Sequence, residues 1–362
     1  MDKKYDALVF IGRFQPFHNA HLKIIEYAKK ISKKVIVIVG SSNQPRTFKN
    51  PFSFDERKNL IEQSIWARSN DSSNENQILT AKEIALSGFR NASVIKIEPI
   101  VDTMYNENSW VTRVQNIVNQ NSDSDSKIGI IGHKKDESSY YLDMFPQWDL
   151  VEVDLVEELS ASQIRELYFK ENFNANFIGG VVPQKVLDYL LKFSKTEQYT
   201  QIIKEVKFVE KYKSQYASFP YPPTFVTVDA VVVQSGHVLM IRRRAEPGKG
   251  LLAIPGGFLD ALTDKSIEDA MIRELREETC LKVPDPVLRG NITNSRVFDA
   301  IDRSTRGRTI THAFYINLPD GKLPKVKNGS DAASAQWIPI SQVDSSECYE
   351  DHYEIINYFT GV

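Results

Sequence analysis

Through the first half of the chain, short apolar runs alternate with longer stretches whose apolar residues recur every three or four positions. Ala7 to Ile11, Val35 to Val39, Val94 to Ile97, Ile128 to Ile131 and Leu150 to Val153 are near-continuous apolar runs, the pattern of strands buried on both faces of a parallel sheet. Helical spacing between them, as in Leu22, Ile25, Ala28 and Ile31, predicts an open, doubly wound α/β domain over residues 1–194. In such sheets ligands bind outside the carboxyl ends of the strands. Arg68 to Gln77 is too polar to join a core and reads as a surface loop.

The pattern then changes. Residues 195–223 are charged and weakly helical and end in Phe219-Pro220-Tyr221-Pro222-Pro223, where three prolines oppose regular helix or sheet pairing; this stretch reads as a linker. Beyond it, strand-like segments at Phe225 to Val233, His237 to Arg242 and Thr309 to Asn317 surround one strong helix, Ser266 to Thr279, predicting a mixed α+β domain over 224–362. A chain of 362 residues, 41% hydrophobic and 25% charged, suits two such cores.

Charge and cysteine content narrow the function classes. With 45 basic against 47 acidic side chains and a net charge of -2, nothing argues electrostatically for nucleic acid or an anionic membrane as a partner. No apolar run approaches the roughly 20 residues of a membrane helix. Two cysteines, Cys280 and Cys348, and a charged opening at Met1-Asp2-Lys3-Lys4 predict a reducing, cytoplasmic setting. The sequence leaves an oligomer open.

The strand ending at Ile11 runs into Gly12-Arg13-Phe14-Gln15-Pro16-Phe17-His18-Asn19-Ala20-His21. The histidines open a helix and share one face, beside the unpaired backbone N–H groups that attract phosphate, and Gly12 permits close backbone approach. The stretch resembles the G-x-F-x-P-x-H-x-x-H motif of the nucleotidyltransferase superfamily, in which the histidines touch ATP phosphates. Leu159-Ser160-Ala161-Ser162-Gln163-Ile164-Arg165 fits the family's second element: Ser160 can cap a helix, Ser162 can donate from its first turn and Arg165 can reach the β- and γ-phosphates. A routine capped helix is the alternative.

Asn50-Pro51-Phe52 with Arg57, and Asn106-Glu107-Asn108-Ser109-Trp110-Val111, look like the substrate segments of archaeal-type nicotinamide mononucleotide adenylyltransferases. That resemblance puts Trp110 on the nicotinamide ring, a cation-π arrangement; a core tryptophan is the other reading. Arg46 and Gly132-His133-Lys134-Lys135-Asp136 follow predicted strands and are further candidates, His133 for ligand and the lysines for phosphate or solvent. The implied reaction is in-line attack by the 5'-phosphate of nicotinamide mononucleotide on the α-phosphorus of ATP, giving NAD and pyrophosphate. His18, His21, Arg165 and Mg²⁺ would stabilise the charge that builds on pyrophosphate.

On the second-domain helix, Glu274, Glu277 and Glu278 stand at i, i+3 and i+4. Such a cluster repels itself unless a hard cation, Mg²⁺ or Mn²⁺, joins it or solvent screens it. With Pro255-Gly256-Gly257 upstream, Arg273-Glu274-Leu275-Arg276-Glu277-Glu278 resembles the Nudix box, G-x5-E-x7-R-E-U-x-E-E-x-G-U, U being aliphatic. The resemblance implies Gly257, Glu274 and Glu278 at the metal and Arg273 and Glu277 in the catalytic set. Three departures stand out: Lys265 occupies the expected Glu, Leu259 the expected Gly, and Cys280 the glycine after the acidic pair, with Asp264 a partial substitute for the missing acid.

Arg303, Arg306 and Arg308 surround Gly307 before a strand, suited to a diphosphate or to a solvated hairpin tip. A general base would come from Glu350-Asp351-His352, with Glu350 the leading choice. Together the halves resemble a bifunctional architecture, an NAD-making adenylyltransferase joined to a Nudix hydrolase that splits ADP-ribose into AMP and ribose 5-phosphate. Two other readings remain: a Nudix half that senses ADP-ribose or NAD without cleaving it, and a first half serving a different phosphate acceptor.

Overall fold

The structure, a computed structural model, describes residues 3–69, 93–134, 137–154, 159–169, 175–329 and 332–361. The chain divides into two compact units, Met1–Ile203 and Lys204–Val362. Among the described residues no helix is long and apolar enough to cross a membrane.

In the first unit all five predicted strands form: β1 (Tyr5–Gly12), β2 (Ser32–Val39), β3 (Val94–Pro99), β4 (Ile128–Gly132) and β5 (Asp149–Glu152). They make one parallel sheet in the order β3-β2-β1-β4-β5. Val9, Ile36 and Ile38 are fully buried, as expected where helices cover both faces. The chain moves outward from β1 to β3 and then crosses to β4, so the strand order reverses between β1 and β4. The crevice at their carboxyl ends is where such a sheet binds ligands, and Gly12 and His133 stand there. The helix Asn19–Ile31 follows β1 and buries Leu22, Ile25 and Ala28. Of the loop expected at 68–77, Arg68 and Ser69 instead end the helix Phe54–Ser69, and the rest lies outside the described residues.

The stretch expected as a linker contains the helix Glu197–Ser214. Tyr212 in its last turn and Tyr216 just beyond its end have rings 5.9 and 5.3 Å from Phe225 at the head of the second unit's central strand.

That unit's sheet runs β10 (Ile292–Phe298), β11 (Thr309–Asn317), β6 (Phe225–Gln234), β7 (His237–Arg243) and β12 (Ala332–Pro339), with β8 (Leu252–Ala253) pairing β7 and β9 (Gly256–Phe258) pairing β6. The helix Ile267–Thr279 packs Ala270, Met271 and Leu275 against Val228, Ala230 and Val232 of β6. Its first turn is closed by Ser266, whose Oγ accepts from the Asp269 N–H at 3.0 Å.

The helix ends at Cys280, which adopts φ 47°, ψ 31°. This left-handed conformation suits glycine and costs a side-chain-bearing residue about 1–2 kcal/mol. Cys280→Gly is therefore expected to stabilise the helix end by about 0.5–1 kcal/mol, after allowing for the greater freedom of glycine in the unfolded chain. Slower amide exchange across 267–279 is the readout; faster exchange would contradict it.

Candidate active sites

In the first unit, the loop after β1 is locked from three directions. A Cβ on Gly12 would lie 2.9 Å from the Phe14 ring, so only glycine lets Phe14 fold back at φ 53°. Gln15 exchanges two bonds with Phe52, Nε2 to the carbonyl at 2.9 Å and Oε1 from the N–H at 3.0 Å. Arg57, fully buried, donates to the carbonyls of Arg13, Gly40, Ser41 and Ser53 at 2.6–3.1 Å. Arg165 donates to the Gln15 carbonyl at 2.7 Å and to Ser162 Oγ at 3.0 Å, while its buried Nε has no partner.

His18 and His21 stand together, ring centroids 3.6 Å apart. The His18 N–H donates to His21 Nδ1 at 3.2 Å, which leaves Nε2 as the proton-bearing, donating end of His21. Burial, then the neighbouring His18, pushes the His21 pKa well below the usual histidine range, so this imidazole is a neutral donor.

Arg57 and Arg165 are each pushed down to about 10, first by burial and also by the charge of exposed Arg13. Among the described residues no carboxylate hydrogen-bonds to either of them. Arg57 and Arg165 thus lie buried near Arg13 at one glycine turn, with Asp102 and Glu56 acting on Arg57 and Glu166 on Arg165 only through space, an arrangement that favours a bound polyanion.

In the second unit, Glu278 is buried and its Oε2 accepts from the Gly256 N–H at 2.9 Å. Burial first, and Glu274 among other contributions, push its pKa up to about 8. A Cβ on Gly257, in β9, would lie 2.5 Å from the Glu274 carboxyl carbon, so only glycine lets this strand pass so close to the carboxylate. Gly257→Ala is expected to displace Glu274 and weaken Mn²⁺ binding by on the order of 10- to 100-fold; unchanged affinity would contradict this role of the glycine. Arg273 bonds Asp264 through Nε (2.9 Å) and Nη2 (2.8 Å), and also reaches Glu274 at 2.8 Å, Glu277 at 3.2 Å and the Phe258 carbonyl at 3.1 Å. Among the described residues no three acidic, His or Cys side chains are already gathered as a metal cage.

Residues 9–167 match the cytidylyltransferase-like family and residues 223–359 the NUDIX domain. The nicotinamide/nicotinic acid mononucleotide adenylyltransferase of Acinetobacter baylyi is 38% identical over 59% of this chain and 97% of its own length. The ADP-ribose pyrophosphatase of Methanocaldococcus jannaschii is 29% identical over 44% of this chain and 83% of its own. A crystal structure of a bifunctional NMN adenylyltransferase/ADP ribose pyrophosphatase from Francisella tularensis, complexed with AMP and a manganese ion, is 35% identical, spans 99% of both chains and superposes with a TM-score of 0.85. The chain belongs to this bifunctional family.

Arg273 pairs with Asp264, the acid next to Lys265, which stands at the Glu position of the box. The Asp264 side chain is 4% exposed beside Arg273, whereas Lys265 points to solvent. Within the loop Asp260–Asp264 the Asp260 N–H donates to Asp264 Oδ2 at 2.8 Å, which holds the carboxylate in place.

Several residues expected to meet ligand in this bifunctional chain are committed elsewhere. Arg57 is a buried tie between backbone segments. Arg46 forms a two-pronged pair with Glu56 at 2.7 and 2.8 Å. Arg303 is buried against Asp351 at 2.8 and 2.9 Å, and Arg308 donates to the Asp299 carbonyl. Ser160 caps its helix with Gln163, the alternative reading, while Ser162 holds Arg165. Lys134 pairs with Asp143 at 2.8 Å; Lys135 lies outside the described residues.

Others stay near the crevices. Asn50 Oδ1 is buried with no hydrogen-bond partner among the described residues. Trp110 is half-buried, 6.1 Å from Phe145 and 6.5 Å from Tyr141, so it serves the core on one side. His133 Nδ1 donates to the Val153 carbonyl at 2.9 Å, which fixes the ring and leaves Nε2 to meet a ligand. Arg306 lies 4.7 Å over Phe258, its buried Nε unpartnered.

Two features escaped the sequence reading. Gln15 occupies an unspecified position of the motif, and Asp102, just beyond β3, accepts from the Ser41 N–H at 3.2 Å and from its Oγ. Asp102 was reachable by the strand-end rule alone.

Proposed function

We infer that the chain joins ATP to nicotinamide mononucleotide, giving NAD and pyrophosphate, and hydrolyses ADP-ribose to AMP and ribose 5-phosphate. Residues 1–194 carry the first activity and 224–362 the second, with 195–223 between them. The two unpaired cysteines suit a reducing, cytoplasmic setting.

The observation that carries the first activity is the pair of buried guanidinium groups, Arg57 and Arg165, beside Arg13 at the Gly12–His21 loop and the β1/β4 crevice, where among the described residues no carboxylate hydrogen-bonds to Arg57 or Arg165. A phosphate nucleophile needs no general base, so positioning and charge stabilisation suffice. Arg165 and His21 donate to the polyphosphate, Arg57 fixes the loop they act from, Trp110 offers its exposed face to the pyridinium ring and Asn50 supplies a carbonyl acceptor.

In the second unit, Glu274, Glu278 and the Gly257 carbonyl fit a divalent cation, Mg²⁺ or Mn²⁺: only glycine lets β9 pass so close to the Glu274 carboxylate, and among the described residues no cationic side chain hydrogen-bonds to the buried Glu278 carboxyl. When bound, such an ion polarises the diphosphate and acidifies the attacking water. Arg273 steers Glu274 and Glu277, and Arg306 faces the substrate's negative charge. Glu350 is the base: both Asp351 oxygens are held by Arg303 and His352 Nδ1 by the Ile254 N–H at 3.0 Å, whereas Glu350 has Oε1 on the Thr305 N–H at 3.0 Å and keeps Oε2 for a water proton.

The test pairs substrates. NAD should form from nicotinamide mononucleotide but no product from 4'-phosphopantetheine, and AMP should be released from ADP-ribose only with added metal. Turnover of 4'-phosphopantetheine alone would reassign the first site. ADP-ribose binding without cleavage would make the second a sensor.

A further inference from the structure

Glu350 sits in a segment pinned on both sides of it. The Tyr349 N–H donates to the Leu252 carbonyl at 2.7 Å, and His352 Nδ1 accepts from Ile254. Leu252 and Ile254 lead directly into Gly256, which holds Glu278. Glu350 itself is left-handed, φ 44°, and its Oε1 accepts from the Thr305 N–H at 3.0 Å.

Asp351 opens the helix His352–Thr360 yet makes no capping bond to it. A carboxylate there ordinarily accepts from the first-turn amides. Instead both oxygens go to Arg303, whose side chain is 3% exposed and also lies 3.9 Å from Asp229. Asp229 is tied in turn by Thr311 Oγ1 at 2.6 Å. Arg303 and Thr305 are two residues apart, and so each end of this short loop grips one of two adjacent acidic residues.

We propose that Arg303, Asp351 and Asp229 form a buried latch that positions the Glu350 carboxylate, and that Arg303 reads no substrate. The proposal rests on Glu350 being the base of ADP-ribose hydrolysis. Loop 303–305 and segment 349–352 then move as one piece, registered through Leu252–Gly256 to the carboxylates of Ile267–Thr279. Loosening the latch lets Glu350 drift from its working position, and displacements near 1 Å cost on the order of 100-fold in rate.

The experiment uses full-length Arg303→Lys and Asp351→Asn, each alone and combined with Glu350→Gln, with Mn²⁺ binding as the check that the carboxylate helix is intact. The expected result is kcat for ADP-ribose lower by on the order of 10- to 100-fold with KM within about threefold. In the Glu350→Gln background the further loss should stay under about twofold, because the latch acts through Glu350. Amide exchange across 303–308 should quicken in both single variants, a readout independent of hydrolysis.

A raised KM with kcat kept would make Arg303 a substrate contact and overturn the latch. So would a full additional loss in the Glu350→Gln background. Glu350→Gln inactive while the latch variants keep wild-type kcat would overturn the latch alone. Glu350→Gln with full turnover would remove the base, and this role of the latch with it.

Discussion

Glu278→Gln is expected to lower ADP-ribose hydrolysis by on the order of 1000-fold while NAD formation stays within about twofold. The expectation follows from where the carboxylate sits. It is 7% exposed and fixed by Gly256, and its pKa of about 8 is set chiefly by burial. Without metal, the folded protein keeps a proton here from the usual 4.5 up to about 8 that the unfolded chain has lost. This group's contribution to stability therefore falls as pH rises through that window.

A cation that binds Glu278 must displace the proton. Its apparent affinity should climb with pH, by about tenfold per unit below that pKa, and level off above it. Titration of Mn²⁺ followed by electron paramagnetic resonance reads this directly in the wild-type protein, and the Gln variant should lose both the affinity and the slope. Retained turnover in Glu278→Gln would remove this residue from the metal site.

Arg165→Ala is expected to reduce NAD formation by 100- to 1000-fold, the scale of one lost charge-stabilising donor, and to leave hydrolysis unchanged. Nη1 and Nη2 are engaged by Gln15 and Ser162, so the guanidinium is already oriented when polyphosphate arrives, and the buried Nε has no protein partner. Lysine keeps the charge but cannot donate in these fixed directions, so Arg165→Lys should recover less than a tenth of the lost rate. Steady-state rates with circular dichroism as the fold check decide it. A loss confined to KM would mean that Arg165 only binds.

The parallel sheet was legible because burial on both faces leaves runs such as Val35 to Val39 that few other structures explain. The edge strands β10 and β12 were not: Ile292–Phe298 and Ala332–Pro339 carry Thr, Asn, Ser, Arg and Gln, since an edge with a wet face needs no apolar run. Motif residues that touch backbone close by, such as Gly12 and His18, were readable from spacing. The arginines were not, because an arginine bound for phosphate and one bound for a buried carboxylate look alike in sequence. What separates Arg303 from Arg306 is Asp351, 48 residues further on.

Lys265 gives the converse lesson. Matched position by position to the box it deletes an acid, yet the side chain that reaches Arg273 belongs to its neighbour Asp264, a contact that spacing alone does not show.

The most direct test of two activities in one chain is a ³¹P NMR time course of the wild-type protein with ATP, nicotinamide mononucleotide, ADP-ribose and Mg²⁺ in one tube. The account predicts NAD and pyrophosphate signals growing as ATP declines, and AMP with ribose 5-phosphate growing as ADP-ribose declines. ATP and nicotinamide mononucleotide persisting unchanged, or ADP-ribose intact while NAD accumulates, would contradict it.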